Sequence, residues 1–240
     1  MRGAPAVLSK PEGAKKAGKK SMEATWLYAP SRTVIRFLCR VLFRLEAHGE
    51  SNVPERGAFM LISNHASNLD PLVLGCMLER PLHFLAKSEL FKIPVFNWWA
   101  RNVNAYPIRR GAVDRGAMRE VNRILREGRG LVIFPEGTRT RDGSLQPAKP
   151  GVAMMAVQAG APCVPAYVDG SYRAWPRHRL FPLPRKIRIF YGESFSLPPR
   201  PDGVSSKEHC QLCASEMWRR IDAMREKAEN SRPRPKGESA

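Results

Sequence analysis

Three short apolar runs constrain this chain more than any other feature: Phe59-Met60-Leu61-Ile62, Leu131-Val132-Ile133-Phe134 and Cys163-Val164-Pro165-Ala166-Tyr167-Val168. None carries a charge or alternates with polar residues, so each reads as a strand buried on both faces. Helical spacing fills the intervals. Ala117, Val121, Ile124 and Leu125 recur at helical steps before Gly128 stops the pattern. Strands are predicted at 58–64, 82–86, 103–108, 131–134, 163–168 and 187–191. Helices are predicted from Asp70-Pro71 onward and over 114–127, 151–159 and 206–228. The last opens on the capping-box pattern Ser205-Ser206-Lys207-Glu208. Such alternation predicts an α/β domain with a largely parallel or mixed sheet flanked by helices, its sites at the carboxyl ends of the strands.

At 240 residues, one domain with extensions is the expected organisation. The sequence divides into a disordered basic arm (1–22), an amphipathic membrane-interface segment (23–47), the α/β domain (48–228) and a disordered tail (229–240). In the second of these, Arg32, Arg36, Arg40 and Arg44 recur every four positions, while Val34, Ile35, Phe37, Leu38, Val41, Leu42 and Leu45 fill much of the remaining surface. A wide apolar face bordered by arginines is the pattern of a helix lying in a membrane interface. The plainer reading is a helix docked on the core with a solvated basic edge. No uncharged apolar stretch approaches the ~18–20 residues of a membrane span.

Charge narrows the partners. Forty Lys and Arg against 22 Asp and Glu give a net charge of +18. The partner is therefore anionic: nucleic acid, an acidic membrane surface or a phosphorylated substrate. Nucleic-acid binding calls for aromatic residues interleaved with basic ones on one face. Here the basic clusters sit at the termini and on the arginine-striped helix instead. Five cysteines, an odd number mostly within apolar runs, fit a reducing, cytosol-facing compartment. Cys210 and Cys213 have CxxC spacing, but no second pair completes a zinc site, and neither metal nor cofactor is expected. The Pro-rich stretch 175–184 reads as a loop.

Chemistry-bearing residues follow two of the buried strands. After the first comes Asn64-His65-Ala66-Ser67-Asn68-Leu69-Asp70-Pro71. On a continuous helix His65 and Asp70 would point about 140° apart, so they meet only if the chain bends between them. At such a bend Asp70 would accept the Nδ1–H of His65 and leave Nε2 as a general base. Taken alone, the pattern fits an Asp70 N-cap and a satisfied loop histidine better. After the second strand comes Pro135-Glu136-Gly137-Thr138-Arg139, where Gly137 allows close backbone approach and Arg139 supplies a forked cation.

In order and spacing these pieces resemble the glycerolipid acyltransferases of the PlsC type. The first block, N-H-x-S-x-x-D, is met by Asn64, His65, Ser67 and Asp70. The second is followed by Lys87-Ser88-Glu89-Leu90, Ile93-Pro94 and Arg110. The third, F-P-E-G-T-R, is complete at 134–139, and a V-P pair at Val164-Pro165 matches the fourth. Asn97 and Asn104 stand where the family commonly has glycine, and Arg109 where an acidic residue often precedes the terminal arginine. The resemblance spans roughly 50–170.

It implies acyl transfer from acyl-CoA or acyl-carrier protein to the free hydroxyl of lysophosphatidate, without a covalent enzyme intermediate. Glycerol 3-phosphate or another lysolipid is the alternative acceptor. It further implies His65 and Asp70 as the catalytic dyad. Lys87, Arg110, Glu136, Gly137, Thr138 and Arg139 would hold the acceptor's phosphate, and Asn64 and Ser67 would support the loop. The expected location is peripheral, on the cytoplasmic face of an acidic membrane.

Overall fold

The computed structural model describes residues 26–108 and 115–232. The basic arm, Arg109, Arg110 and positions 233–240 lie outside them. Seven strands form one sheet: β1 (Glu46–His48), β2 (Phe59–Ser63), β3 (Leu82–Lys87), β4 (Ala105–Ile108), β5 (Gly130–Ile133), β6 (Cys163–Asp169) and β7 (Arg188–Tyr191). Their order is β1-β7-β6-β2-β5-β3-β4. Neighbours are parallel except β6 and β7, which are antiparallel. The sheet is thus mixed, as the sequence pattern predicts.

The central strand explains the fold. All five residues of β2 are buried, and its side chains alternate between two cores. Phe59 and Leu61 face a cluster with Leu74, Leu82, Val132, Val164 and Ile189. Met60 and Ile62 face another with Val121, Ile124, Ala153, Met217 and Ile221. Helices α1 (Tyr28–Phe43) and α2 (Asp70–Met77) cover the first face. Helices α4 (Arg115–Arg126), α5 (Pro150–Ala159) and α7 (Ser206–Asn230) cover the second. Each fully buried aliphatic side chain contributes roughly 1.5–3 kcal/mol, so a strand with no solvated face must sit mid-sheet.

Helix α7 starts where the capping box puts it. The Glu208 amide donates to Ser205 Oγ (3.2 Å) and the Ser205 amide to Glu208 Oε2 (2.9 Å). Cys210 and Cys213 lie on its buried side. Among the described residues no three His, Cys, Asp or Glu side chains gather as metal ligands would.

Three features depart from the sequence-based expectation. Strand β1 and helix α3 (Pro94–Asn102) were not foreseen, and β1 begins ahead of the boundary placed at 48. Strand β4 starts only at Ala105, because Asn104 takes a left-handed backbone (φ 61°), a conformation Asn tolerates better than most side chains. Asn97, the other glycine replacement, sits within α3 and accepts from Arg101 Nε at 2.7 Å.

The arginine stripe of α1 is also divided. Arg32 donates to the Leu78 carbonyl (3.1 Å) and pairs with the Glu79 carboxylate (2.7 Å). Arg36 donates to the Cys76 carbonyl (2.6 Å) and to Glu79 (2.8 Å). These carbonyls at the end of α2 lack helical partners, and cations are favoured there. Two of the four arginines therefore fasten α1 to α2 instead of bordering its apolar face. The opposite side of α1 leaves Val34, Phe37, Leu38, Val41 and Leu42 exposed. No described helix is long and apolar enough to cross a membrane.

Candidate active site

The loop between β2 and α2 leaves the carboxyl edge of the sheet and bends back on itself. Asn64 holds its start: the side-chain amide donates to the Val168 carbonyl (3.1 Å) and its oxygen accepts the Val168 amide (2.7 Å). That pairing imitates a peptide group and extends the β2–β6 ladder by one step. Ser67 holds the middle, donating to the Trp175 carbonyl (2.8 Å) and accepting the Leu69 amide (3.1 Å).

Within the bend Asp70 reaches backwards. Its Oδ2 accepts the amides of Ala66 and Ser67, each at 2.7 Å, and lies 2.9 Å from His65 Nδ1. The N-cap reading of Asp70 is thereby corrected. The residue is already in the first turn of α2, with Leu69 at the cap position, and its carboxylate serves the preceding loop instead of the helix amides. An oxygen that already accepts two N–H groups acts as an acceptor toward the ring as well. His65 Nδ1 is therefore the donor in this pair.

The histidine is clamped along its backbone too. Its amide donates to Glu136 Oε1 (2.7 Å), and its carbonyl accepts the Thr140 amide (2.9 Å). Phe134 stacks on the ring, with centroids 4.0 Å apart and planes 17° off parallel. All of these partners come from the segment after β5, which pairs directly with β2 in the sheet. Burial pushes the Glu136 carboxyl up to about 7, against the lowering effect of the His65 amide. Glu136 is 3% exposed and is absent from the lining of the neighbouring cavity. It stands behind the histidine, bonded to its backbone amide.

That cavity has a volume of about 520 Å³. His65, Lys87 and Arg139 line it together with a mostly apolar wall that includes Leu72, Phe84, Phe96 and Trp99, and Tyr28 and Ile35 of α1 close one side. The size is that of a small-molecule site. Lys87 also pairs with Glu89 at 3.1 Å.

Gly137 turns the 134–139 segment with φ 70°, its amide bonded to the Phe134 carbonyl at 2.9 Å. Thr138 is exposed beside it. Sequence reasoning did not single out Lys149, which does not line the cavity but whose side chain lies against Gly137 so closely that a Cβ there would come 3.2 Å from its Cδ. Arg110 lies outside the described residues.

The profile of the family described as Acyltransferase matches residues 44–169. The chain belongs to this acyltransferase family. Its fold is that of a solved relative, the 1-acyl-sn-glycerophosphate acyltransferase PlsC from Thermotoga maritima. The two superpose with a TM-score of 0.71 at 27% identity, over 87% of this chain and 82% of that one. Among curated acyltransferases, a 1-acyl-sn-glycerol-3-phosphate acyltransferase from Borreliella burgdorferi is 33% identical over 119 residues, 49% of this chain and 48% of its own length. One of the same name from Pseudomonas aeruginosa is 32% identical over 167 residues, 65% of this chain and 62% of its own. The chain spans from 40% to 63% of the first three curated relatives it matches.

Proposed function

We propose that this acyltransferase moves a fatty acyl group from the thioester of acyl-CoA or acyl-carrier protein to the free hydroxyl of lysophosphatidate, forming phosphatidate. The observation that carries the reading is the 2.9 Å contact between His65 Nδ1 and Asp70 Oδ2 beside a largely apolar cavity with cations among its lining residues. That these relatives are 1-acyl-sn-glycerol-3-phosphate acyltransferases supports the same acceptor.

In this reaction His65 Nε2 takes the proton from the acceptor hydroxyl as the oxygen attacks the thioester carbonyl. Asp70 stabilises the imidazolium that results. Collapse of the tetrahedral intermediate breaks the C–S bond, and the leaving thiolate takes the proton back from His65. Oxygen replaces sulfur on the acyl carbon, and no enzyme side chain becomes acylated. Ser67 is not a nucleophile in this scheme, because its hydroxyl is committed to Trp175 and Leu69. A positioned base contributes about 10²–10⁴-fold; orientation of the two substrates supplies much of the remainder.

The apolar part of the cavity suits an acyl chain. Lys87, Arg139, Lys149 and Arg110 suit the acceptor's phosphate, with Gly137 and Thr138 shaping that end. Glu136 is a positioning residue that fixes the His65 backbone. The exposed apolar face of α1 rests on a bilayer at the cytoplasmic side and brings the cavity to its lipid substrate.

The test is release of free thiol from acyl-CoA and from acyl-carrier protein, with a panel of acceptors that includes lysophosphatidate, glycerol 3-phosphate and other lysolipids. Stimulation by lysophosphatidate above the rest is expected. A panel in which nothing stimulates turnover overturns the assignment.

A further inference from the structure

The segment between α6 (Ser171–Ala174) and β7 lies beyond the family match, which ends at 169, and the mechanism above gives it no task. Its composition is unusual. From 170 to 192 there is no acidic residue, while Arg173, Arg177, Arg179, Arg185, Lys186 and Arg188 all fall within it. Arg188 is buried against Asp169 (2.7 Å) and Lys186 pairs with Glu46 (2.7 Å). Among the described residues no ion pair engages Arg177, Arg179 or Arg185, and all three are exposed.

Between these arginines stand Leu180 and Phe181, 84% and 78% exposed, the former more than any other large apolar side chain of the described residues. Three hydrogen bonds shape the loop that carries them. The Trp175 indole N–H donates to the Arg179 carbonyl (2.9 Å), the Arg179 amide to the Pro176 carbonyl (3.1 Å) and the Leu183 amide to the Ala174 carbonyl (2.7 Å). Trp175 anchors the base of the loop at the site: it is among the residues that line the cavity, and its carbonyl accepts from Ser67 Oγ.

We propose that the loop 176–186 is a second membrane contact, specific for anionic phospholipid surfaces, that sets Leu180 and Phe181 among the headgroups while Arg177, Arg179 and Arg185 meet lipid phosphates. The proposal rests on the reading of α1 as an interface helix. Cations beside an apolar tip match an acidic bilayer in both charge and polarity. An acidic protein surface is the competing occupant, and the carrier-protein arm of the test separates it from a bilayer. Because α1 and Trp175 both line the one cavity, contacts through both elements would hold its mouth against the lipid, where a lysolipid acceptor resides.

The five native cysteines are buried, so a polarity-sensitive thiol dye on Leu180→Cys reports the loop alone. The labelled full chain is mixed with vesicles of phosphatidylglycerol and phosphatidylcholine, with vesicles of phosphatidylcholine only, and with acyl-carrier protein, and vesicle flotation is followed in parallel. The dye is expected to brighten and shift to the blue on the anionic vesicles alone. Each arginine near such a surface is worth about a fivefold change in partition. Arg177→Gln, Arg179→Gln and Arg185→Gln together are therefore expected to weaken the response by roughly 100-fold. Flotation with a silent dye overturns the loop contact and leaves the α1 reading intact. Absence of flotation overturns both. A dye that responds to the carrier protein and not to vesicles assigns the loop to a protein partner and overturns the proposal.

Discussion

The β2–α2 loop and the outer face of α1 treat their side chains in opposite ways. In the loop, Asn64, His65, Ser67 and Asp70 are all at most 7% exposed. The first three bond to partners far along the chain, and Asp70 bonds back to His65, Ala66 and Ser67 within the loop. On α1, five apolar residues point outward, with Phe37 66% and Val41 60% exposed. One region fixes the orientation of the ring by hydrogen bonds and stacking. The other leaves apolar area uncovered. On the proposed function the contrast separates two tasks, chemistry and lipid contact, and substitutions in one region should leave the other's readout unchanged.

The sharpest break is His65→Ala. Thiol release is expected to fall by at least about 10²–10⁴-fold, while vesicle flotation stays at the wild-type level. Loss of both together would mean that the two regions are not independent. Asp70→Asn comes next. The ring keeps a neighbour but loses the anion that fixes its tautomer, so activity drops by a similar order. The two amides on Oδ2 also lose a charge-assisted acceptor, and thermal unfolding should register a cost of roughly 1–3 kcal/mol. Full activity in this variant would remove Asp70 from the mechanism.

The same contrast explains what was legible in the sequence. Buried strands announce themselves, because a run such as Phe59-Met60-Leu61-Ile62 has no solvated face and belongs mid-sheet. The need for a bend between His65 and Asp70 followed from helical geometry alone. The direction of the Asp70 carboxylate did not, since a cap and a backward reach use the same residue at the same place. The task of Glu136 depends on the β2–β5 register, with Ile62 beside Ile133, which no local pattern encodes. Strand β1 reads Glu-Ala-His and offers no apolar run. The inward turn of Arg32 and Arg36 depends on where α2 ends, some 40 residues further along. The cavity walls come from α1, α2, β3 and α3 at once, and so had no sequence signature.

A smaller effect is expected on the membrane side. Phe37→Glu with Val41→Glu places two charges on the exposed face of α1 without touching its buried residues Tyr28, Cys39 and Phe43. Losing that much apolar contact should weaken vesicle partition by roughly tenfold or more. Turnover of a freely soluble short-chain lysolipid should stay unchanged. A fall in that turnover would show that α1 shapes the active site as well as facing the bilayer, because Tyr28 and Ile35 of the same helix line the cavity.

The finest test concerns the residue behind the histidine. Glu136 ordinarily would titrate near 4.5, and its folded value is raised to about 7 by burial. The folded state therefore binds this proton more tightly than the unfolded chain. Its influence on stability is constant below about pH 4.5, is lost progressively as pH rises through the folded value near 7, and is constant again above it. At about 1.4 kcal/mol for each tenfold change in proton affinity, the displacement is worth roughly 3 kcal/mol. Glu136→Gln keeps a carbonyl oxygen for the His65 amide and removes the titration. Denaturant unfolding across this window should show the wild type losing stability with rising pH and the variant losing less by about that amount. Identical slopes in the two proteins would mean that burial does not raise this carboxyl and that it accepts the His65 amide as an ordinary carboxylate.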